Sequence, residues 1–241
     1  MPKSVFQDIY RELKLKIENE SYPYQSFLPS EAELTDEYAC SRSSIRRALG
    51  MLARDGYVQS QQGKGVRVIR NPQLLDHTGY NGLETFNELA ARCGFTPHTK
   101  LVTFEEVIAD EKLSETTGFA EGGRLTHIMR ARSADGMYIS TDESFYLSDE
   151  VPGLTPDVVR DSVYAYLEGT LGMKIVTSKR TITVEAATDS DARHIDLGEF
   201  NAVGVMRSRT FDADGVMIEY TESRQRPGFF AYHETAIRRN H

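Results

Sequence analysis

The sequence predicts an α+β protein of two parts, a small helical part that ends in a hairpin and a larger part of strands and helices. Residues 1–70 carry three helical patterns followed by two short alternating runs. From residue 82 onward, alternating apolar and polar runs recur with short helical patterns between them, and the tight turn Asp135-Gly136 joins two of the runs. Strands joined mostly by hairpins predict a largely antiparallel sheet in the second part.

Three helices and a hairpin account for residues 1–70, which we expect to form one domain. Apolar residues spaced four apart predict the first helix over 4–20. Ser30 and Glu33 have the spacing of a capping box for a short second helix, and Ser41 can cap a third. The run "YVQSQQGKGVRVI" then predicts a β-hairpin with a Gly-Lys-Gly tip. This order of elements is that of a winged helix-turn-helix.

A linker and a second domain follow. Residues 71–81 have no clear period and hold a proline, a glycine and two asparagines, which predicts a linker to a domain over 82–241. In that domain the patterns predict helices at about 82–93, 110–118, 161–171 and 189–197, and strands at about 100–109, 124–133, 137–147, 174–187, 203–212, 215–224 and 229–237.

The second domain contains an internal repeat. The segment "MRARSADGMYISTDES" (129–144) resembles "MRSRTFDADGVMIEYTES" (206–223) after a two-residue insertion, with arginines at matching positions. Two similar hairpins predict a pseudo-symmetric sheet, and a cleft between repeated halves is a common ligand site. The alternative is chance similarity between two hairpins that share the same turn chemistry.

Charge is distributed unevenly along the chain. The net charge is −8, yet residues 39–70 hold seven basic side chains and a single acid, Asp55. The acidity of the whole chain argues against unspecific binding of polyanions. A basic segment on an acidic chain predicts one polyanion-binding module joined to a part with another role.

Nothing in the sequence indicates export, a membrane span or a metal site. The N-terminus reads as an amphipathic helix with charges throughout, and no apolar run approaches the roughly 20 residues of a membrane span. Cys40 and Cys93 have no metal-binding or redox spacing, and no pair among the six histidines has metal-ligand spacing. We therefore expect a cytoplasmic protein with no membrane association, no metal and no cofactor.

The third helix has the composition of a helix that reads DNA. Arg47 and Ser43 point directly away from its apolar stripe, and Arg42 and Arg46 share one flank. Arginines placed in this way reach guanine edges or phosphates, while Ser43 and Ser44 near the helix N-terminus can bond phosphate oxygens. The alternative is a solvated arginine face on a core helix.

Two arginines in the second domain form a candidate anion site. Arg130 and Arg132 are two apart on one strand, so they share a face and match a phosphate or carboxylate. Ser162 can cap the helix that follows it and donate to the same anion, and Thr85 adds a hydroxyl at the start of another helix.

Acidic residues near these arginines suit sugar hydroxyls. Strand alternation puts Glu143 on the face of Ile139 and Glu222 on the face of Ile218, whereas Asp142 lies on the other face of its strand. The alternative is that all three acids are exposed strand charges in ion pairs. No Gly-rich phosphate loop, nucleophile elbow or Cys/His pairing appears, so we expect no enzyme activity.

Residues 28–65 resemble the DNA-binding domain of GntR-family bacterial regulators in the pieces "LPSEAEL", "SRSSIRRAL", "DGYV" and "GKG". The second domain resembles the UTRA effector domain of that family's HutC-type branch, which implies a chorismate-lyase-like fold without the lyase activity. The segments "DSVYAYLEGTLGMKI", "SKRTITVEAAT" and "YTESRQRP" are similar to a subgroup of this branch whose effector is trehalose 6-phosphate.

The resemblance implies two sets of contact residues. Together with the helix and wing pattern, it gives these candidate DNA contacts: Ser30, Arg42, Ser43, Ser44, Arg46, Arg47, Gln62, Gly63, Lys64 and Gly65. The candidate effector contacts are Gly82, Leu83, Thr85, Phe86, Arg130, Arg132, Asp142, Glu143, Ser162, Tyr164, Glu222, Arg224, Arg226 and Phe230.

Two departures from the family pattern leave alternatives open. Ser44 stands where the family usually has threonine, so a methyl group that can contact thymine is missing and the operator preference is open. The acidic sugar ligand of the family matches either of two residues here: the spacing from Arg132 favours Asp142, whereas the internal repeat favours Glu143.

Taken together, these features predict a homodimeric repressor that binds double-stranded operator DNA and responds to a sugar phosphate, with trehalose 6-phosphate as the expected effector. Another sugar phosphate, such as an amino-sugar phosphate, or an amino acid derivative also fits a pair of arginines. An enzyme of lyase type with a DNA-binding head is the rival from another class, but it would need a poised general acid or base.

Overall fold

The computed structural model describes residues 5–71 and 82–232. Residues 5–71 lie in one compact unit and residues 82–232 in another. Of the predicted linker 71–81, all but the first residue fall outside the described part, so its boundaries stay a prediction.

The first unit has the predicted order of three helices and a hairpin. Its elements are α1 (Val5–Glu18), α2 (Glu31–Glu37), α3 (Arg42–Arg54), β1 (Val58–Gln61) and β2 (Gly65–Val68). The predicted caps of the second and third helices are confirmed: Ser30 and Glu33 form a capping box on α2, and the Ser41 side chain accepts a hydrogen bond from the Ser44 amide on α3.

One hydrophobic core fixes which face of α3 is exposed. The apolar stripe of α3 is buried together with the stripe of α1 and with Leu34 of α2, which is fully buried. Burying the stripe contributes roughly 1.5–3 kcal/mol per large side chain. Because α3 is held by this stripe, its arginines are left on the solvent side.

The second unit is one six-stranded sheet with helices on both faces. Its elements are α4 (Phe86–Cys93), β3 (Pro97–Ile108), α5 (Glu111–Thr117), β4 (Arg124–Ala134), β5 (Met137–Leu147), α6 (Pro156–Asp161), α7 (Val163–Gly169), β6 (Ile175–Ala186), α8 (Asp189–His194), β7 (Ala202–Asp212) and β8 (Met217–Gln225). The strand order is β3-β4-β5-β8-β7-β6, and every neighbouring pair is antiparallel.

The strand order makes the sheet pseudo-symmetric about its centre. The β4–β5 hairpin and the β7–β8 hairpin carry the two copies of the internal repeat, and β5 pairs with β8 in the middle. Glu143 and Glu222, which match each other in the repeat, are direct cross-strand partners there. The sheet is therefore built from two similar halves that meet at these glutamates.

Matching β-bulges interrupt the strand alternation in both halves. The β4–β5 ladder passes from Arg132–Ser140 to Ser133–Tyr138 and leaves Ile139 unpaired. The β7–β8 ladder does the same at Ile218, the residue that matches Ile139 in the repeat. Each bulge turns two successive side chains toward the same face of the sheet.

The helices cover the two faces of the sheet unequally. α6 and α7 pack on one face around Ile128, Tyr146 and Ile218, and α4 packs on the same face at Ile139. α5 packs on the opposite face against a cluster that includes Phe145. The first of these faces is called the pocket face below, and the second the reverse face.

The structure departs from the sequence predictions most at three places. α4 begins at Phe86 rather than 82, because Thr85 is its N-cap. A separate helix, α6, precedes α7 and starts with Pro156 behind the N-cap Thr155, an arrangement that favours a helix start. The predicted strand 229–237 is not formed over 229–231, which lie in a turn and irregular chain, and residues 233–237 lie outside the described part.

Candidate anion pocket and nucleic-acid interface

A pocket lies on the pocket face, between the sheet and the starts of α4 and α7. It encloses about 760 Å³ including the open solvent at its mouth. Among the predicted effector contacts, those that line it are Leu83, Thr85, Phe86, Arg130, Arg132, Asp142, Ser162 and Tyr164.

Arg130 is a buried cation with an incomplete set of partners. Its residue is only 5% exposed, and its Nε has no hydrogen-bond acceptor in the described part of the chain. One Nη1 contact to the Val159 carbonyl is long, at 3.5 Å. A buried guanidinium with unused donors is costly unless a ligand supplies acceptors.

Arg132 and Asp142 form a buried ion pair beside it. Arg132 Nε donates to Asp142 Oδ2 at 2.9 Å, and the Ser223 hydroxyl donates to Asp142 Oδ1 at 2.7 Å. Burial by itself would raise the pKa of Asp142, but Arg132, Arg130 and these hydrogen bonds hold that pKa below its ordinary value. Asp142 is therefore a carboxylate inside the pocket.

The two candidate acidic ligands lie on opposite faces of the sheet. Asp142 lines the pocket, whereas Glu143 lies on the reverse face, where its carboxylate is 2.9 Å from Nε2 of His127. Strand alternation counted from Ile139 puts Ile139 and Glu143 on the same face. In the structure they lie on opposite faces, because the bulge turns Ile139 toward the pocket face while Glu143 lies on the reverse face.

A third arginine was missed by the sequence reasoning. Arg180 on β6 lines the pocket opposite Ser208, its partner in the ladder, and its Nε also lacks an acceptor within residues 5–71 and 82–232. The signal was the spacing of Ser178 and Arg180 by two on a predicted strand, which puts both on one face. The pocket thus has two guanidinium groups with donors to spare.

Glu219 was also missed and forms the polar centre of the pocket floor. Its carboxylate accepts hydrogen bonds from the hydroxyls of Tyr146 (2.6 Å), Tyr164 (2.7 Å) and Thr221 (3.0 Å). Burial and the charge of Glu219 raise the pKa of both tyrosines well above the ordinary value, so both remain protonated donors. An acid with several hydroxyls around it is a setting in which sugar hydroxyls can exchange hydrogen bonds.

Two helix starts complete the rim. Thr85 caps α4 by accepting from the Glu88 amide at 3.2 Å, and Ser162 caps α7 by accepting from the Ala165 amide at 3.2 Å. Each hydroxyl still has a proton to donate toward the pocket.

Three predicted effector contacts lie on the reverse face of the sheet, outside the pocket lining. Glu143 and Glu222 are cross-strand partners and Arg224 is two residues further along β8, so all three share that face. Alternation counted from Ile139 and Ile218 did not predict this for the two glutamates, because each isoleucine is a bulge residue. Glu222 accepts from Arg207 at 2.7 Å, and Arg224 bonds Asp191 of α8 at 2.8 Å, so both belong to an ion-pair network.

The remaining predicted effector contacts lie outside the pocket lining. Gly82 precedes the lining segment with a φ of 67°. Arg226 donates to the sulfur of Met137 at 3.0 Å and lies over the Phe200 ring. Phe230 packs over Gly204 so closely that a Cβ there would come within 2.4 Å of the ring.

In the first unit, the predicted DNA contacts on α3 differ in their surroundings. Arg42 and Ser43 are exposed, and Ser44 is half-buried with its hydroxyl 3.0 Å from Ser41 Oγ. Arg46 is exposed and bonds Glu31 of α2, whereas the Arg47 guanidinium stacks 3.7 Å above the Phe6 ring. Arg46 is therefore tied to α2 through Glu31, and Arg47 is drawn toward α1.

The wing tip is an exposed tight turn. Gln62, Gly63, Lys64 and Gly65 are all exposed, and the Lys64 amide donates to the Gln61 carbonyl at 3.0 Å. Gly63 has a φ of 75°, which a type II turn requires at its third residue and which glycine adopts without strain. The tip thus presents backbone and one cation to a partner.

Within 5–71 and 82–232, no group of three or more His, Cys, Asp or Glu side chains could hold a metal ion. No helix in these ranges is long and apolar enough to span a bilayer.

Comparisons with known proteins match both units. The model of the family described as "Bacterial regulatory proteins, gntR family" matches residues 6–68, and the model described as "UTRA domain" matches residues 92–230. The transcriptional regulator TreR of Bacillus subtilis is 32% identical over 238 residues, which covers 99% of each chain. The transcriptional repressor NagR of the same bacterium is 25% identical over 223 residues, covering 92% of this chain and 90% of NagR.

Two solved structures show the same architecture. The effector-binding domain of the B. subtilis trehalose repressor TreR superposes with a TM-score of 0.54 at 28% identity, covering 59% of this chain and 99% of that domain. The possible transcriptional regulator YydK from B. subtilis superposes with a TM-score of 0.79 at 20% identity, covering 97% of this chain and all of YydK. The second of these shows the fold alone.

Proposed function

The chain belongs to the GntR family of bacterial regulatory proteins, and we propose that it represses a sugar-utilisation operon and leaves its operator when a phosphorylated sugar binds. Its relatives are transcriptional regulators by name, which agrees with the prediction that it is not an enzyme. A regulator of this family binds DNA through its N-terminal unit and a small molecule through its UTRA domain.

The observation that carries the effector proposal is the pair of arginines with unused donors. The Nε atoms of Arg130 and Arg180 face no acceptor in the described chain, and both residues line one pocket. A phosphate supplies several acceptor oxygens and up to two negative charges, which match guanidinium donors of this kind. A neutral sugar offers hydroxyl oxygens as acceptors but no charge to balance the arginines.

The rest of the pocket supports a sugar as the organic part of the ligand. Glu219 and Asp142 are acceptors for hydroxyl groups, and the hydroxyls of Ser178, Ser208 and Thr210 line the same wall. TreR, which is 32% identical, is called a trehalose repressor, and together with arginines that match a phosphate this makes trehalose 6-phosphate the effector that we propose. An amino-sugar phosphate or an amino acid derivative is the alternative effector.

The regulatory mechanism that we propose uses a homodimer in the cytoplasm. Two copies of α3 would read the half-sites of a roughly palindromic operator, with the wings on the flanking backbone. The effector weakens operator binding only if it binds better to a conformation that cannot engage both half-sites. Effector and DNA must then lower each other's affinity by the same factor.

Isothermal titration calorimetry tests the effector proposal. We expect trehalose 6-phosphate to bind with a Kd below about 100 μM, and trehalose, inorganic phosphate, glucosamine 6-phosphate and an N-acyl amino acid to bind more weakly or not at all. Tightest binding of glucosamine 6-phosphate would replace the effector with an amino-sugar phosphate. Absence of heat with every phosphorylated compound would reject the proposal for this pocket.

Two glutamates on one strand provide a matched test of which face binds the ligand. Glu219→Gln removes the acceptor shared by three pocket hydroxyls, and we expect trehalose 6-phosphate affinity to fall about 10-fold or more. Glu222→Gln changes the charge by the same amount on the reverse face, and we expect an affinity within about twofold of wild type. The reverse ranking in calorimetry would contradict the placement of the site.

A further inference from the structure

Glu31 places a carboxylate beside an arginine on the DNA-reading helix. Arg46 Nε donates to Glu31 Oε2 at 2.9 Å, and the two side chains are 70% and 39% exposed. The pair joins α2 to α3, the two helices of the helix-turn-helix.

This ion pair is a poor source of stability. Exposed pairs of this kind contribute little to folding stability, because water and salt screen them. A carboxylate near the face that meets DNA also repels phosphate, which lowers the affinity for every sequence. An acid in the first turn of α2 stabilises that helix whichever way its side chain points, so helix stability alone does not explain why the Glu31 carboxylate is paired with Arg46.

The local structure holds the Glu31 carboxylate in place. Glu31 is the first residue of α2, directly after the N-cap Ser30, whose capping box with Glu33 fixes the start of the helix. The Glu31 carbonyl accepts from the Thr35 hydroxyl at 2.6 Å, and Leu34 anchors α2 in the core. The backbone that carries Glu31 is therefore rigid relative to α3.

We propose that Glu31 is a positioning residue that sets the sequence specificity of Arg46. Because Glu31 occupies Nε, the guanidinium keeps its Nη1 and Nη2 groups as an outward fork. A fork of that kind matches O6 and N7 of guanine in the major groove. The same carboxylate penalises complexes in which Arg46 would have to turn aside to reach a phosphate, so it favours reading a base over gripping the backbone.

The inference rests on the proposal that α3 reads the operator through Arg46. The probe is the duplex of about 24 base pairs that the wild-type protein selects most strongly from a randomised library, with a scrambled duplex for unspecific binding. The variants are Glu31→Gln, Glu33→Gln and Arg46→Ala, and the double variant Glu31→Gln/Arg46→Ala. Glu33→Gln is the matched control, since it removes one charge from the same helix and glutamine retains the capping box.

We expect Glu31→Gln to lower affinity for the selected duplex about threefold to tenfold and to leave affinity for the scrambled duplex equal or higher. The ratio of the two affinities should fall about 10-fold. Glu33→Gln should leave that ratio within about twofold of wild type. In the Arg46→Ala background, Glu31→Gln should cause no further loss of specificity, because the group that it orients is gone.

The variants distinguish the positioning role of Glu31 from the DNA contact of Arg46 on which that role depends. If Arg46→Ala does not weaken binding to the selected duplex, the proposed DNA contact itself is wrong. If Arg46→Ala weakens binding but Glu31→Gln behaves like Glu33→Gln, the positioning role is overturned. An equal loss from Glu31→Gln with and without Arg46 also overturns it, and thermal melting of each variant separates these outcomes from unfolding.

Discussion

Replacing Arg130 with methionine is expected to lower trehalose 6-phosphate affinity by about 100-fold or more, a loss of ~3 kcal/mol. Methionine fills a similar volume but has no donor for a phosphate oxygen. The same change should shift the melting temperature of the ligand-free protein only slightly, because removing a buried guanidinium with unmet donors is offset by losing a charge that keeps Asp142 ionised. Calorimetry and thermal melting of Arg130→Met measure the two effects separately.

The internal repeat supplies the matched control for this prediction. Arg207 corresponds to Arg130 in the other copy, but it lies on the reverse face in ion pairs with Glu185 (2.6 Å) and Glu222 (2.7 Å). Arg207→Met should therefore leave ligand affinity within about threefold of wild type. Equal losses in both variants would show that the loss reflects general damage to the sheet, and unchanged affinity in Arg130→Met would remove Arg130 from the site.

Replacing Arg46 with alanine is expected to weaken binding to the selected duplex by about 1–3 kcal/mol. The loss should be concentrated at one guanine position, because a bidentate arginine reads a single base pair. Substituting that base pair in the duplex should weaken wild-type binding and leave the binding of Arg46→Ala nearly unchanged. Fluorescence anisotropy with the four base-pair variants at each position tests this.

Arg54 is the control for the charge that Arg46→Ala removes. It lies in the last turn of the same helix and is exposed, so Arg54→Ala should weaken all duplexes about equally and only slightly. A uniform loss in Arg46→Ala, with no preferred base pair, would identify Arg46 as a phosphate contact. No loss at all would leave it a solvated side chain.

The elements of the fold could be predicted from the sequence, because the short-range patterns of capping residues and apolar spacing match the helix ends and the buried faces in the structure. The stripe of α3 and the caps at Ser30 and Ser41 are short-range patterns, and the structure confirms each of them. The strand 137–147 was predicted with the bounds of β5, since the Asp135-Gly136 turn fixes where it begins. Element ends were missed where a cap decides them, as at Thr85 of α4.

The site was harder to predict because it depends on strand register. Arg130 and Arg132 lie on β4 before the irregularity that follows Arg132 in the β4–β5 ladder. Simple alternation therefore predicts correctly that they share a face. Glu143 and Glu222 were placed from Ile139 and Ile218, and both isoleucines are bulge residues whose extra position no single-strand pattern reveals. The internal repeat correctly predicts two similar halves of one sheet. It also favoured Glu143 over Asp142 as an effector contact, and Glu143 lies on the reverse face.

The missed residues have a common cause. Arg180 and Glu219 enter the pocket from strands on the far side of the sheet centre, so their proximity to Arg130 depends on strand order. Contacts across elements, such as Glu31 with Arg46 or Phe6 with Arg47, also need the packing of helices that are separate in sequence. Sequence periodicity predicts which residues share a face of one helix or strand, but it does not predict which residues of another element pack against that face.

The effector dependence of operator affinity tests the central claim most directly. Anisotropy of the labelled selected duplex is measured against protein with saturating trehalose 6-phosphate, with trehalose, and with neither. We expect trehalose 6-phosphate to weaken operator binding about 10-fold or more in the wild type, trehalose to have no effect, and Arg130→Met to bind DNA normally without any response. Operator affinity that is the same with and without trehalose 6-phosphate would contradict the account.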